Sequence, residues 1–245
     1  GSVNAAGLAL WGVNLDGVLV LQQVYQAMAD TDLMDSHLER LALRALSGRP
    51  NHDASRRVRD FMIAAGLSSD LRFDQIKNVR LGLVCVDLNT SRTLIYGEDP
   101  TQSVLDGLMA SIAIPPWFAP VEVEGRYIVD AGAVSNLPIE SAIKLGATEI
   151  IALDLNDPAS WMGNVRGSNQ IANKLAFTVI QRQSYIETAF AEAQGVPVDC
   201  VALRSSPPAP IWDFNAYKDL IETGYEIASR TISDWHKTGR SEPAY

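Results

Sequence analysis

Residues 110–138 read ASIAIPPWFAPVEVEGRYIVDAGAVSNLP. The apolar triplets Val121-Glu122-Val123 and Tyr127-Ile128-Val129 flank Glu124-Gly125-Arg126, a short turn signal, and are expected to be two strands. The second delivers Asp130 into Asp130-Ala131-Gly132-Ala133, where small residues let the backbone turn sharply and let another group approach the carboxylate. The end of a strand is where α/β enzymes display catalytic acids, although a D-A-G stretch on its own is more often only a turn.

Upstream, residues 101–112 read as a helix stopped by Pro115-Pro116. Residues 79–88 (VRLGLVCVDL) and 92–96 (RTLIY) read as two strands joined by Asn89-Thr90-Ser91, a hairpin. Before them, residues 2–10 predict a small-residue helix with Ser2 as a candidate cap, and residues 14–30 a partly buried helix. Residues 35–46, with Leu38, Leu41, Leu43 and Leu46 between charges, predict an amphipathic helix. Residues 47–55 read as a loop and 56–65 as a short helix. Downstream, residues 139–145 predict a helix closed by Gly146. The run 149–155 (EIIALDL) predicts a strand buried on both faces. A long helix over about 169–193, a strand over 198–203, a Pro-rich connector over 205–210 and an amphipathic helix over 215–235 complete the chain. This alternation predicts an α/β fold whose central sheet is mainly parallel and flanked by helices.

The 245 residues suit one domain spanning 1–245, with ample length for a sizeable core. A net charge of −9 and a pI near 4.8, with no basic patch, argue against nucleic acid as a partner. The same charge is repelled on average by anionic lipid, so peripheral membrane contact would rely on local apolar surface. Cys85 and Cys200 each lie in an apolar run and read as buried free thiols. Neither lies in a C-x-x-C or beside a histidine, which disfavours metal. No apolar run reaches membrane-spanning length. The N-terminus lacks the layout of a signal peptide, and a cytoplasmic location is the expectation.

Several spaced elements occur in one order: Ala110-Ser111-Ile112-Ala113-Ile114-Pro115, then Pro120-Val121, Gly125, Asp130-Ala131-Gly132 and Asn136-Leu137-Pro138. Together with Asp213-Phe214 and Leu220-Ile221-Glu222-Thr223-Gly224-Tyr225-Glu226, this pattern resembles the patatin-like phospholipase family. The resemblance implies a three-layer fold and a lipid acyl hydrolase that needs no cofactor or metal. Its chemistry would come from a serine in G-x-S-x-G and an aspartate, here Asp130, with a glycine-rich loop supplying N–H donors to the oxyanion. The substrate would be a lipid or other ester. Ala131 departs from the family, which has glycine after the aspartate; alanine tolerates positive φ less well.

G-x-S-x-G itself does not occur; Gly66-Leu67-Ser68-Ser69-Asp70 fails at its fifth position. Gly1-Ser2-Val3-Asn4-Ala5-Ala6 resembles the segment just after the family nucleophile, which makes Gly1 the motif's fifth residue and puts the serine two positions before it. Alternatively Gly1-Ser2 is a cloning scar and the helix resemblance starts at Val3. On either reading these residues alone are expected to be inactive, and another chain could supply the absent strand, oxyanion loop and nucleophile. Ser2 lacks a G-x-S-x-G frame. His37, His52 and His236 read as solvated surface residues, which agrees with a dyad. Ser111 is expected to cap or brace the turn at Ile112–Pro115, and Asn136 to pin the loop after Asp130 by side-chain bonds to backbone. Asp154 reads as a strand-end cap, because no phosphate loop precedes it to support a nucleotide-binding fold. Residues 115–118 (PPWF) suit core packing or the wall of an acyl-chain pocket. The competing reading is a non-catalytic binding or assembly module on the same scaffold, which the Ala131 departure favours.

Overall fold

A computed structural model describes residues 1–31, 33, 50–155, 168–206 and 214–237. The expected helix over 35–46 and residues 207–213 of the C-terminal connector lie outside the described residues.

Helix α1 (Ser2–Trp11) buries Ala6, Gly7 and Ala9, small residues that let α2 (Leu15–Asp30) approach closely. Asn14 caps α2, its Oδ1 accepting from Gly17 N at 3.0 Å. The buried residues Leu21, Val24 and Met28 recur at helical spacing along α2. Helix α3 (His52–Ala64) buries Ala54, Val58 and Met62 by the same logic. It begins four residues earlier than its composition suggests. Asn51 makes that start, accepting from Ala54 N at 3.3 Å while its Nδ2 donates to Trp117 O at 2.8 Å.

Strands β1 (Leu83–Asp87) and β2 (Arg92–Tyr96) form the expected hairpin. Asp87, 2% exposed, accepts from Asn89 N at 2.8 Å and so shapes the turn. Helix α4 (Val104–Ser111) follows, capped by Ser103 and buried at every residue except Asp106. Strands β3 (Val121–Val123) and β4 (Arg126–Asp130) form a second hairpin. Its tip, Glu124-Gly125, has φ of 52° and 74°, the paired left-handed geometry that closes a two-residue hairpin. Beyond it come α5 (Ile139–Lys144), β5 (Ile150–Asp154), α6 (Ser168–Ala193), β6 (Val198–Ala202) and α7 (Tyr217–Lys237).

The fold is mixed α/β, but its larger sheet differs from expectation. Among the described residues, four strands in the order β2-β1-β4-β3 all pair antiparallel, and only β5 and β6 pair parallel. Connection length accounts for the β1–β2 and β3–β4 hairpins and for the β5–β6 pair, but not for the antiparallel β1–β4 pairing, whose strands are far apart in the chain. Two strands joined by a tight turn must run antiparallel, whereas β5 and β6 are separated by the long α6 segment, which permits a parallel return. A second correction concerns β5. Its apolar run suggests burial on both faces, yet only Ile150 and Ala152 are buried, while Ile151 and Leu153 are 38% and 58% exposed.

The main core joins α1–α4 to the base of β1, with Leu83, Val104, Leu105, Leu108 and Phe118 at 3% exposure or less. Cys85, Ala110 and Ile128 form a second buried cluster between α4 and the sheet. A separate cluster of Leu137, Ile139, Ile150, Ala152 and Ala191 links α5, β5 and α6.

Candidate active site

Asp130 is the last residue of β4, paired across the sheet with Cys85 of β1. Its backbone N donates to Ala113 O at 2.9 Å, so the loop after α4 fixes the end of the strand. The chain then turns into a single 3-10 turn, Ala131–Ala133. Asp130 caps this turn itself: Oδ1 accepts from Gly132 N at 2.6 Å. Val134 N and Ser135 N both donate to Ala131 O at 2.8 Å and complete the turn.

Two residues of this turn have opposite tolerances. Ala131, 3% exposed, does not have positive φ, so the alanine in place of the family's glycine is unstrained. Gly132 is the sterically demanding position. A Cβ there would stand 2.6 Å from Asp130 Oδ1 and 3.5 Å from Asn136 Oδ1. The sequence pattern drew attention to residue 131, whereas the geometry puts the constraint on residue 132.

The electrostatics of Asp130 are set first by burial, which raises its pKa above the usual carboxylate value. The Gly132 N–H and then the charge of the Gly1 amino terminus pull it partway back. The beginning of α1 therefore lies within electrostatic reach of the carboxylate. A raised carboxylate pKa moves a potential general base toward neutrality. Cys85, fully buried opposite Asp130, is pushed up to about 12 by burial, with Asp130 and Asp87 adding to the shift. It is therefore a packed thiol rather than a nucleophile.

Ser2 and Ser111 meet, although 109 positions separate them. Their hydroxyl oxygens are 2.6 Å apart, and Ser111 Oγ donates to Val84 O at 2.7 Å. Because Ser111 has one proton and spends it on Val84, Ser2 is the donor to Ser111. The pair ties the first turn of α1 to α4 and β1. Ser111 therefore braces α4 against β1 and α1 rather than the turn at Ile112–Pro115. Ser2 does not cap α1: Gly1 holds the cap position and no side chain fills the role. Among the described residues the side chain of Asn136 makes no hydrogen bond, so Asp130 and the backbone, rather than Asn136, pin the turn. Ser135 had no signal in the sequence; it is 5% exposed and its hydroxyl finds no partner among the described residues.

Other candidates separate from this cluster. His52 is exposed at the start of α3, and His37 lies outside the described residues. Asp154 ends β5 in the other sheet, where its backbone carbonyl accepts from Leu203 N. Of residues 115–118, Phe118 is core, Trp117 packs against it, and Pro115 and Pro116 are exposed. Cys85 is buried as expected, but Cys200 is exposed. A cleft of about 470 Å³ between residues 73–81 and 97–100 does not include Asp130. Among the described residues no cluster of His, Cys, Asp or Glu could hold a metal ion. None of the described helices is long and apolar enough to cross a membrane.

The model of the family described as patatin-like phospholipase matches residues 1–143. That stretch runs from α1 through the Asp130 turn into α5 and covers more than half of the chain, which belongs to the patatin-like phospholipase family.

Proposed function

We propose that this chain carries the acid–base half of a Ser–Asp lipid acyl hydrolase, with Asp130 as general base and the nucleophile a serine two residues ahead of Gly1. The family acts on lipid esters, and that much assigns the substrate class. The observation that supports the finer reading is geometric: Ser2 Oγ lies 2.6 Å from Ser111 Oγ, and Ser111 donates to Val84 O beside Cys85, the cross-strand partner of Asp130, so the start of α1 is tied to the strand end that carries the carboxylate. A residue just before Gly1 would then enter the space in front of that carboxylate. Asp130 would take the serine proton as the hydroxyl attacks the ester carbonyl, and return it to the departing alcohol. Water would then release the acyl group by the same route. A loop N-terminal to the serine would supply the oxyanion donors, and its strand would extend the sheet toward the parallel arrangement of the family. On this reading residues 1–245 form a single domain that needs the preceding segment for activity, from its own or another chain.

The test is direct. Residues 1–245 alone should not turn over a short-chain aryl ester. The protein extended upstream to include G-x-S-x ahead of Gly1 should do so, and Asp130→Asn should abolish it. Robust, Asp130-dependent turnover by residues 1–245 alone would refute the assignment of the nucleophile. An extended protein that binds lipid ester without turnover would favour a binding module. The unstrained Ala131 removes the one departure that had favoured that alternative.

A further inference from the structure

Helix α6 is amphipathic the wrong way round. Its inward side holds Ser184, Glu187 and Ala191, with Glu187 2% exposed and accepting from Glu140 N at 3.1 Å. Its outward side carries Ile171, Leu175, Val179, Ile186 and Phe190, which are 59%, 63%, 52%, 47% and 39% exposed. At about 100° per residue these five fall within a sector of roughly 100°, an apolar seam about 28 Å long that Arg182 interrupts near its middle. A helix that turns its more apolar face to solvent is missing a partner.

The spacing indicates which partner. About a centre between residues 180 and 181, Ile171 mirrors Phe190 and Leu175 mirrors Ile186. Such a seam is complementary to itself when two copies run antiparallel about a two-fold axis. We propose that α6 is a homodimer interface, in which α6 of each protomer packs antiparallel on α6 of the other in this register. Ile171 then meets Phe190 and Leu175 meets Ile186, while Val179 meets Arg182. Arg182, which lies within the seam, is laid along Val179 of the second copy with its guanidinium reaching solvent. At about 200 Å² per large side chain, these five exposures and the flanking Tyr185, 67% exposed, offer roughly 650 Å² per protomer. Wholly covered, that area reaches the lower part of the range of stable interfaces, about 600–1,000 Å² per partner.

Sedimentation velocity on the 245-residue chain up to about 0.1 mM should show a dimer. Leu175→Lys should weaken it by on the order of 100-fold with an unchanged circular dichroism spectrum. Tyr225→Lys, which removes the 74%-exposed ring on α7, should not weaken it. In a Cys200→Ser background, Leu175→Cys with Ile186→Cys should give disulfide-linked dimers on mild oxidation. Leu175→Cys alone should not, because the two copies of residue 175 would sit about 16 Å apart along the axis. A monomeric chain overturns the proposal, including one whose α6 face instead takes up phosphatidylcholine vesicles or is covered in a longer chain. So does a dimer that Leu175→Lys leaves intact, or one dispersed by Tyr225→Lys.

Discussion

Replacing Gly132 by alanine isolates the one steric requirement the turn places on its sequence. The added Cβ would meet Asp130 Oδ1 at 2.6 Å, well inside ordinary contact, so the carboxylate must retreat by about 0.6 Å or more. The Oδ1 to Gly132 N bond, now 2.6 Å, then lengthens past the ~3.2 Å limit of a good hydrogen bond. A hydrogen bond to a charged group is worth about 1.5–3 kcal/mol. Stiffening of the unfolded chain by alanine returns about 0.4–1 kcal/mol. No backbone strain is added, since Gly132 is not at positive φ. The net expectation is a loss of about 1–2 kcal/mol near neutral pH, or a fall in Tm of about 2–8 °C for a chain of this size. The substitution also removes a group that holds the Asp130 pKa down, so that pKa should rise further. A carboxyl whose folded pKa lies above its unfolded value binds protons more tightly when folded. Its contribution to stability therefore falls as pH rises from about 3.8 through the raised value, and the variant should show this more steeply. Differential scanning calorimetry across pH, with carbon-13 NMR of the Asp130 carboxyl, reads both effects. An unchanged Tm together with an unchanged Asp130 titration would refute the steric argument.

Three further outcomes are expected. Ser111→Ala removes the acceptor of Ser2 and the donor to Val84, and should cost about 1–3 kcal/mol in denaturant unfolding; a cost below about 0.5 kcal/mol would mean that the brace does not contribute. Ala131→Gly should not raise activity in an upstream-extended protein and should lower stability by about 0.5–1 kcal/mol, since Ala131 is buried and unstrained; a gain in turnover would contradict the geometry. An aromatic disulfide reagent should label Cys200 in the folded chain but leave Cys85 unlabelled until unfolding, because Cys85 is fully buried with its pKa near 12; two labels in the native state would refute that packing.

How much could be read in the sequence depends on the range of the interactions concerned. Hairpins at 89–91 and 124–125 were legible because turn chemistry is local and their flanking strands are apolar. The start of α3 was misplaced because HDAS reads as loop until Asn51 is known to bind both Ala54 N and Trp117 O, a contact made 66 positions away. The sheet was expected to be mainly parallel because alternation of helix and strand carries no record of which strands pair. The Ser2–Ser111 contact and the unpartnered Ser135 hydroxyl left no trace in residue spacing at all, since neither is periodic nor local.

Asp130 itself was singled out through motif order, but motif order does not explain why the residue would suit its proposed work. Three features of the fold do. The strand end holds its backbone through Ala113, burial raises its pKa, and the Gly132 N–H aims one oxygen while leaving the other to meet a substrate or nucleophile. These features act in opposite directions on the proton: burial favours the neutral acid, and the N–H favours the anion. A general base must be anionic when the substrate arrives and basic enough to take a proton afterwards, so neither extreme would serve.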